Sequence, residues 1–309
     1  MELTALRYFK AIADEEHMTR AAERLGVTQP ALSAAVRKLE EEVGAALLDR
    51  TGRGVRLTEA GRLFLEHAEA SLQSADRAIV VVRELMGLER GTVSVGGGAT
   101  AIGCLLPPVV RAFRSQHPQI RVRLREAGSA AVAEAVLNGA LDLGFVTQPV
   151  SIPGARELMA VAELQDELVL ITPTPAPGGP GTGLGSRKTF RWADIAHEPI
   201  IGFEAGSAVR RLVDDAALAH GVSLNVVMEL RSIDGIQRMV AEGVGIGFVS
   251  RFAAVDHARA DDPVRVLRCK DGPIARTLAV VRRRDHMPSP AVEQFERVMQ
   301  GSFDRIKGS

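Results

Sequence analysis

The sequence predicts an α/β protein in which a small helical domain with a hairpin precedes one long helix and two α/β subdomains. Three patterns predict this order. Apolar residues recur at helical spacing in three short segments of residues 1–60, they follow a heptad pattern over residues 65–86, and strand and helix patterns alternate from residue 92 onward. The predicted domains are residues 1–60, residues 61–90 and residues 91–309, the last divided into 91–164 with 268–309 and 165–267.

Composition excludes several classes of protein. The chain has 309 residues, of which 46% are hydrophobic, so it can bury the cores of several domains, and its 38 basic and 38 acidic residues give no net charge that points to a partner. Cys104 and Cys269 lack metal-ligand spacing, which favours a reducing compartment and predicts no metal site. The N-terminus lacks the apolar core of a signal peptide, and no apolar stretch is as long as a membrane span. We therefore expect a cytoplasmic protein with no membrane contact.

Three short helices are predicted in the first 60 residues. The second starts near Thr19 and ends at Gly26, and the third begins with Thr28 as its N-cap and Pro30 in its first turn, where the missing N–H costs little. Glycines in the segment DRTGRG, residues 49–54, suit the tip of a tight hairpin. The residues predicted to face the core from the first and third helices are Leu3, Leu6, Phe9, Ala13, Leu32, Val36, Leu39 and Val43.

The second and third helices form either a helix-turn-helix, whose second helix enters the major groove of DNA, or an αα-corner inside a helical domain. The third helix carries Arg37 and Lys38, and no carboxylate lies between residues 28 and 38. The hairpin contains three further basic residues, Arg50, Arg53 and Arg56. Because these cations concentrate where DNA phosphates would lie, the pattern favours DNA binding.

A polar stripe follows the first turn of the third helix, with Gln29, Ser33 and Arg37 spaced by four residues. The Gln29 amide can form a bidentate pair with adenine, and Ser33 can reach a base edge or a phosphate one turn later. Arg37 and Lys38 are better placed to contact phosphates. The sequence therefore predicts that this face of the helix contacts DNA.

A long helix is predicted from Thr58 to about Leu88. Such a helix, about 45 Å long at about 1.5 Å per residue, is too long to be covered by one small domain. Its heptad pattern would form either the core face of a helix packed in its own domain or the seam of a dimerisation helix, and the position between domains favours the second. The residues of this predicted seam are Leu65, Ala68, Leu72, Ala75, Ile79, Val82 and Met86.

From residue 92 the pattern becomes strand, helix, strand, helix, strand, which implies a parallel sheet. A second series of strands and helices begins at DELVLIT, residues 166–172, and ends at GIGFVS, residues 245–250. The proline- and glycine-rich segment of residues 173–186 is predicted to be a surface insertion in this second unit.

Two alternatives remain open at the end of the first of these strands. Gly96, Gly98 and Ala101 match the loose GxGxxA pattern, and Glu126 ends the next strand where a ribose-binding acid belongs, which would indicate a nicotinamide-dependent oxidoreductase. Pro107 and the proline after it, however, are expected to interrupt the helix that would support a pyrophosphate. We find no set of nucleophile, base and orienting residue that predicts a catalytic site.

The segment FKAIADEEHMTRAAERLGVTQPALSAAVRKLEEEVGAALLDRTGRGVRLTEAG closely resembles the winged helix-turn-helix of LysR-type transcriptional regulators. The resemblance implies a winged helix-turn-helix, a linker helix and a periplasmic-binding-protein-like effector domain of two α/β subdomains. By position, Arg53 matches the wing, and a residue that is often larger and polar or basic in the family is here Ala34. Four residues match the groove-facing start of the recognition helix: Thr28, Gln29, Pro30 and Ser33.

The resemblance also implies an effector site between the two subdomains. The expected effector-binding residues are Thr100, Ser129, Thr147, Gly202 and Phe203, each at a strand end, although Ser129 could equally be a helix cap. We expect a small anionic metabolite held by hydroxyl groups and backbone N–H groups, because cationic side chains are scarce at these positions. No cofactor is expected. Candidate partners are double-stranded promoter DNA, the small-molecule effector, further copies of the chain in a dimer of dimers, and RNA polymerase. A solute-binding protein would explain the two α/β units but not the N-terminal domain.

Overall fold

The computed structural model describes residues 1–51, 54–85, 91–174, 184, 187–254 and 263–307. The chain divides into two compact units. The first comprises Met1–Glu89 with Asn138–Ala140, and the second comprises Arg90–Leu137 with Leu141–Ser309. The predicted combination of an N-terminal helical domain, a long helix and a larger α/β region is confirmed.

The first unit contains three short helices, a two-stranded hairpin and the long helix. Their bounds are α1 (Leu3–Glu15), α2 (Met18–Leu25), α3 (Gln29–Val43), β1 (Leu48–Thr51), β2 (Gly54–Leu57) and α4 (Glu59–Leu85).

Local chemistry sets the ends of α2 and α3 as predicted. Gly26 follows α2 with a positive φ of 67°, a conformation that glycine adopts without steric cost. The hydroxyl of Thr28 accepts a hydrogen bond from the N–H of Ala31 at 3.4 Å, and Pro30 lies in the first turn of α3. As a result, α3 begins directly after Thr28, and the connection between α2 and α3 is short.

The core of the first unit is formed by the apolar faces of α1, α2 and α3 together with residues of the hairpin and α4. Leu6, Phe9 and Leu32 are almost fully buried in it. The prediction that Leu3 and Val43 face the core is wrong, because both are exposed. They are the first residue of α1 and the last residue of α3, so the helical spacing continues there beyond the packed part of each helix.

The predicted seam of α4 divides into two parts. Ala68 and Leu72 are buried in the core of the first unit, as is expected of a helix that packs in its own domain. Ile79 and Val82 are 52% and 58% exposed. Met86 lies outside the described residues.

The second unit contains the rest of the described elements. Its helices are α5 (Leu106–Gln116), α6 (Ser129–Leu137), α7 (Ala208–Ala219), α8 (Ile233–Ala241), α9 (Arg251–Ala254) and α10 (Pro290–Lys307). Its strands are β3 (Thr92–Gly97), β4 (Arg121–Glu126), β5 (Leu143–Thr147), β6 (Leu158–Pro173), β7 (Thr189–Phe190), β8 (Pro199–Phe203), β9 (Asn225–Leu230), β10 (Ile246–Ser250), β11 (Val264–Cys269) and β12 (Ile274–Arg283).

One sheet runs through the second unit, with its main strands in the order β4, β3, β5, β12, β6, β10, β8, β9. The strands β3, β4 and β5 are parallel, as predicted, and so are β8, β9 and β10. Between these sets lie β6 and β12, two long antiparallel strands that pair from Leu158 with Arg283 to Leu168 with Ile274. The described part of the chain contains no helix long and apolar enough to cross a membrane.

The two long strands connect two separate hydrophobic cores. Leu164 and Leu278 belong to a core with α5 and α10, which we call the first subdomain. Leu168 and Ile274, a few residues away on the same strands, belong to a core with α7, which lies in what we call the second subdomain. The strands therefore pass from one subdomain to the other between these residues.

Two sequence predictions need correction or limitation here. Pro107 and Pro108 do not interrupt a helix, because they occupy the first turn of α5, where a missing N–H is tolerated, and a π-helical segment, Ala101–Leu105, precedes them. Most of the predicted insertion at residues 173–186 lies outside the described residues. Of this segment, Leu184 is described and is fully buried in the second subdomain.

Candidate nucleic-acid interface and effector site

The start of α3 presents polar and apolar groups at its surface. Gln29 and Pro30, the first two residues of the helix, are both exposed. The Gln29 Oε1 atom lies 3.5 Å from the Thr19 hydroxyl on α2, which donates to it. This long contact leaves the Gln29 NH₂ group available to an acceptor outside the chain.

Ser33 does not lie on the exposed face of α3, contrary to the prediction. Its side chain is only 8% exposed. Successive residues of an α-helix are rotated by about 100°, so Ser33 lies about a quarter turn from Leu32, at the edge of the buried face. Ala34, one residue further, is exposed. The middle of the outward face is therefore occupied by a methyl group, while the hydroxyl is covered.

Cations of the first unit differ in their pairing. Arg24 and Lys10 form ion pairs with Asp14, at 3.4 Å and 3.0 Å, and each also contacts a second carboxylate. Arg37 and Lys38 are exposed on α3 and form no ion pair with the described part of the chain. The Arg37 Nε atom donates only a long bond, 3.4 Å, to the backbone carbonyl of Ser33. Unneutralised positive charge is thus concentrated on the outward face of α3.

The hairpin is held against α3 by a carboxylate that the sequence analysis did not single out. The Glu40 Oε1 atom accepts hydrogen bonds from the N–H groups of Leu47 and Leu48, at 2.8 Å and 3.0 Å. The N–H of Val55 also donates to the carbonyl of Glu16, at 3.0 Å. Glu40 is one of three consecutive glutamates near the end of α3, and no spacing rule distinguishes the one that turns back toward the hairpin.

The hairpin prediction is confirmed for its strands, which pair antiparallel from Leu48 with Leu57 to Thr51 with Gly54. Arg56 is exposed on β2. Arg53 lies outside the described residues, and nothing is described of the Arg50 side chain.

Three of the expected effector residues lie at the same edge of the sheet in the second unit. Thr100, Ser129 and Thr147 follow or end β3, β4 and β5, whose parallel order brings their carboxyl ends together. The N–H of Thr147 donates to the hydroxyl of Ser129 at 2.9 Å. The structure thus joins two of the three residues directly.

Thr100 contacts a buried ion pair that the sequence analysis missed. Its Oγ1 atom accepts a hydrogen bond from Arg276 Nη2 at 2.9 Å. Arg276 Nε donates to Asp166 Oδ2 at 2.7 Å, and Nη2 also lies 2.7 Å from that oxygen in the ion pair. The hydroxyl of Ser250 donates to the other oxygen of Asp166 at 2.8 Å. The expectation that cationic side chains are scarce around Thr100 is therefore wrong. The sequence marks Arg276 as the one charged residue of the apolar segment IARTLAVV, residues 274–281, but Asp166 stands next to Glu167 and is not distinguished by its neighbours.

The aromatic ring of Phe203 is buried, so Gly202 and Phe203 could offer a ligand only their backbone groups. The Phe203 side chain is buried in a cluster with Ile233 and Ile236, against which Ala99 packs from the first subdomain. The phenyl ring of Phe203, an expected effector residue, therefore packs inside this cluster and is not available to a ligand.

Arg210 fixes the turn that follows Phe203. Its Nη1 atom donates to the Phe203 carbonyl at 3.3 Å and to Glu229 at 2.7 Å. The Arg210 guanidinium, together with the N–H of Ala205, holds the pKa of Glu229 below its usual value. This carboxylate therefore stays charged at neutral pH and keeps the turn in place.

The first glycine of the GxGxxA pattern, Gly96 in β3, has a structural explanation. A Cβ atom on Gly96 would lie 2.3 Å from the Leu141 side chain, so this glycine is required for packing. Glu126 is exposed on the edge strand β4. Packing therefore explains Gly96 but not Gly98, where a Cβ atom would lie 3.9 Å from its nearest neighbour, the carbonyl oxygen of Ala127. Among the described residues, no group of three or more His, Cys, Asp or Glu side chains could hold a metal ion.

Comparison with known families assigns both units. Residues 3–62 match the model of the bacterial regulatory helix-turn-helix protein of the LysR family, and residues 86–304 match the model of the LysR substrate binding domain. The chain belongs to the LysR family. It is a LysR-type DNA-binding transcriptional regulator with an effector-binding domain. Members of this family are transcriptional regulators and not enzymes.

Individual relatives agree over nearly the whole chain. The chain is 32% identical over 296 residues to a probable RuBisCO transcriptional regulator of Trieres chinensis, covering 95% of this chain and 94% of the relative. It is 33% identical over 251 residues to the HTH-type transcriptional regulator AlsR of Bacillus subtilis, covering 81% and 80% of the two chains. The fold matches full-length CbnR complexed with its target DNA, with a TM-score of 0.70, 24% identity and coverage of 98% and 100%. These two relatives carry the names of different regulators. The family match therefore establishes the class of this protein but not the genes that it regulates.

Proposed function

We propose that α3 and the hairpin form the DNA-contacting surface of this regulator. In this proposal Gln29 contacts a base edge, Arg37 and Lys38 contact phosphates, and Thr28 and Pro30 set the start of the helix at the groove. The observation that supports it is the contrast in pairing, since the cations of α3 are exposed and unpaired within the described residues while those of α1 and α2 are neutralised. Arg53 and Arg56 would extend the contact along the hairpin. Ser33, being buried, is left out of this set.

The larger unit is proposed to sense a small effector at the strand ends that carry Thr100, Ser129 and Thr147. The backbone of Gly202–Phe203 would form the opposite wall. Two long strands join the subdomains, so their relative orientation can differ between states. A ligand favours one orientation only to the extent that it binds the two orientations unequally. The resulting change of orientation would alter how the regulator binds promoter DNA in the cytoplasm.

A second copy of the chain is proposed to pack against the outer half of α4. Ile79 and Val82 continue the heptad spacing of the helix but, unlike Ala68 and Leu72, are not covered by the first unit. Apolar side chains at this spacing suit the seam of a helix pair. Larger assemblies, such as a dimer of dimers, and a contact with RNA polymerase would build on this dimer.

Selection of DNA duplexes from a random pool by the full-length chain tests the DNA-binding proposal. The selected operator should then bind the Gln29→Ala variant more weakly by about 1–3 kcal/mol, because a bidentate base contact is lost, while binding to random DNA stays nearly unchanged. The combined change of Arg37→Ala and Lys38→Ala should instead weaken operator and random DNA together and flatten the salt dependence.

The matched control is Gln116→Ala, which removes an exposed glutamine from the last turn of α5. This variant should bind the operator as the parent does. Equal loss of operator and random DNA binding in the Gln29→Ala variant would show that Gln29 does not contact a base edge.

A further inference from the structure

A cavity of about 340 Å³ lies in the first unit between the end of α1, the hairpin and the start of α4. Ile12 of α1 and Val55 of β2 contribute buried apolar side chains to its lining. Three exposed residues add charges to this lining: Glu16, Arg56 and Arg62. Small-molecule sites in proteins have volumes of this order and combine an apolar lining with a few polar groups. The cavity therefore has the size and composition of a ligand site.

The charged residues of this cavity are not neutralised by the described part of the chain. Neither Arg56 nor Arg62 forms an ion pair there, and neither does Glu16. Arg62 donates one long bond, 3.4 Å, from Nη1 to the backbone carbonyl of Leu57. The basic residues of α1 and α2, by contrast, all pair with carboxylates. Two positive charges and one negative charge thus line the cavity, which leaves it net positive.

Glu16 also holds the hairpin that carries Arg56. Its φ of 48° lies in the left-handed region, which residues other than glycine rarely adopt. In this conformation its carbonyl accepts a hydrogen bond from the N–H of Val55 at 3.0 Å. A Cβ atom on Gly54 would lie 2.8 Å from the same carbonyl oxygen, so the hairpin and the end of α1 are in close contact. A molecule bound in the cavity would therefore contact α1, the hairpin and α4 together.

We infer that this cavity is a second ligand site of the regulator, separate from the effector site of the larger unit, and that it takes a small anion with an apolar body, such as a carboxylate on a short hydrocarbon chain. The carboxylate would accept charge-assisted hydrogen bonds from Arg56 and Arg62. The hydrocarbon chain would cover apolar lining residues such as Ala13 and Leu57. An uncharged molecule would leave both guanidinium groups unpaired, and a cation would be repelled by them.

Arg56 connects the cavity to DNA binding. It is proposed above to contact the DNA backbone, so an anion in the cavity competes with a phosphate for the same guanidinium group. The bound anion should weaken operator and random DNA alike, because a phosphate contact carries no sequence information. This consequence rests on the proposed DNA interface, whereas binding of the anion to the cavity does not.

Hexanoate tests the inference on the full-length protein, titrated by calorimetry up to tens of millimolar at constant ionic strength. Hexanamide has a chain of the same length without the charge, and acetate has the charge without the chain. Hexanoate should bind about tenfold more tightly than hexanamide, because hydrogen bonds to charged groups are the stronger ones. It should also bind about tenfold more tightly than acetate, because several more methylene groups are buried.

Variants of the charged lining assign the binding to this cavity. Arg62→Met keeps an apolar stem of similar length and should weaken hexanoate binding about tenfold. Glu16→Gln removes the one negative charge of the lining and should tighten hexanoate binding about threefold. The matched control is Glu23→Gln, which removes the same charge from an exposed position on α2 and should leave the affinity unchanged. All three residues are exposed, so these changes should not prevent folding.

DNA binding gives a second measurement. Hexanoate, compared with acetate at the same concentration, should weaken binding of the parent to random DNA about fivefold, as expected for the loss of one phosphate contact. Arg62→Met should bind DNA as the parent does, and hexanoate should have little effect on it.

Several outcomes would overturn the inference. They are hexanoate that binds no more tightly than hexanamide or acetate, the absence of hexanoate binding, and equal binding of hexanoate to the parent and to Arg62→Met. Binding that is lost in Thr100→Val but kept in Arg62→Met would place hexanoate in the effector site and refute the cavity. If hexanoate bound through Arg62 and left DNA binding unchanged, the cavity would stand as a ligand site, and the proposed contact of Arg56 with a phosphate would be refuted.

Discussion

The exposed side chains of α3 alternate between polar and apolar groups along the helix. Ala31 and Ala34 are exposed between Gln29 at the start of the helix and Arg37 about two turns further on. In the major groove, thymine differs from the other bases by its 5-methyl group, and alanine methyl groups are suited to contact it. The exposed face of α3 therefore predicts apolar contact with thymine between the polar contacts of Gln29 and Arg37.

Replacement of single thymines by uracil in the selected operator tests this prediction, because it removes only the methyl group. At one position or more in each half-site the parent should bind the uracil operator about fourfold more weakly, corresponding to about 0.8 kcal/mol for one buried methyl group. Gel shift or fluorescence anisotropy at fixed salt concentration measures the change.

The Ala34→Gly variant should be less sensitive to the same uracil replacement. Ala35→Gly introduces the same helix-weakening residue into the same helix but off the outward face, and it should keep the parent's sensitivity. If every uracil operator bound the parent as tightly as the thymine operator, α3 would not contact thymine methyl groups.

Prediction of individual residues from the sequence succeeded where the cause is local. Thr28 and Gly26 act through their own backbone neighbours, so their roles as cap and terminator are visible in the sequence. Ser33 and Phe203 were misplaced because their exposure depends on how a helix or strand is tilted against its neighbours. Asp166 and Arg276 are 110 residues apart in the sequence and meet only through the pairing of β6 with β12.

Among the secondary-structure elements, the hairpin is positioned by Glu40 from the last turns of α3. Glu40→Ala would leave the N–H groups of Leu47 and Leu48 without this acceptor. We expect faster hydrogen exchange at these two amides, a loss of about 1–3 kcal/mol in stability of the first unit and weaker operator binding. Exchange detected by mass spectrometry or NMR measures the first effect directly.

Glu40→Gln keeps one side-chain carbonyl oxygen as an acceptor and should retain most of the protection. The control is Glu23→Ala, which removes an exposed carboxylate from α2. Unchanged exchange at Leu47 and Leu48 in the Glu40→Ala variant would contradict the assigned role.

The long helix α4 changes its environment along its length. The sequence predicts one continuous seam, because the heptad spacing does not change between Ala68 and Ile79. The structure buries only the first half in the first unit, a division that depends on where α1 to α3 end in space. Periodicity could therefore predict the helix and its apolar face but not which part of that face remains uncovered.

The uncovered half of α4 predicts the effect of Ile79→Glu. If this residue packs against a second copy, the change buries an unpaired carboxylate, and light scattering should show a shift toward monomers together with loss of tight operator binding. Ser74→Glu adds the same charge to an exposed position on the other side of the helix and should leave the oligomer intact. An unchanged mass for the Ile79→Glu variant would show that Ile79 lies outside the dimer contact.

For the molecule as a whole, the βαβ pattern predicted the two parallel parts of the large sheet, but not how they join. Within residues 268–309, assigned from the sequence to the first subdomain, no bounds were predicted for the joining strand β12 or for the final helix α10. Both follow the last segment assigned from periodicity, and the pairing of β12 with β6 and β5 requires contacts over more than 100 residues of sequence. The ion pair between Asp166 and Arg276 lies at this junction. It links Thr100 in the first subdomain with Ser250 in the second.

This junction predicts how the stability of the molecule responds to loss of the ion pair. Asp166→Ala leaves Arg276 buried without its partner and should lower the free energy of unfolding by about 3–5 kcal/mol, whereas replacing both residues with apolar side chains of similar volume should cost much less. Urea unfolding followed by the fluorescence of Trp192, the single tryptophan of the chain, which is buried in the second subdomain, measures the change. The control is Asp234→Ala, which breaks an exposed ion pair with Arg238 on α8 and should cost less than about 1 kcal/mol. Equal unfolding midpoints for Asp166→Ala and Asp234→Ala would show that the buried pair does not stabilise the junction between the subdomains.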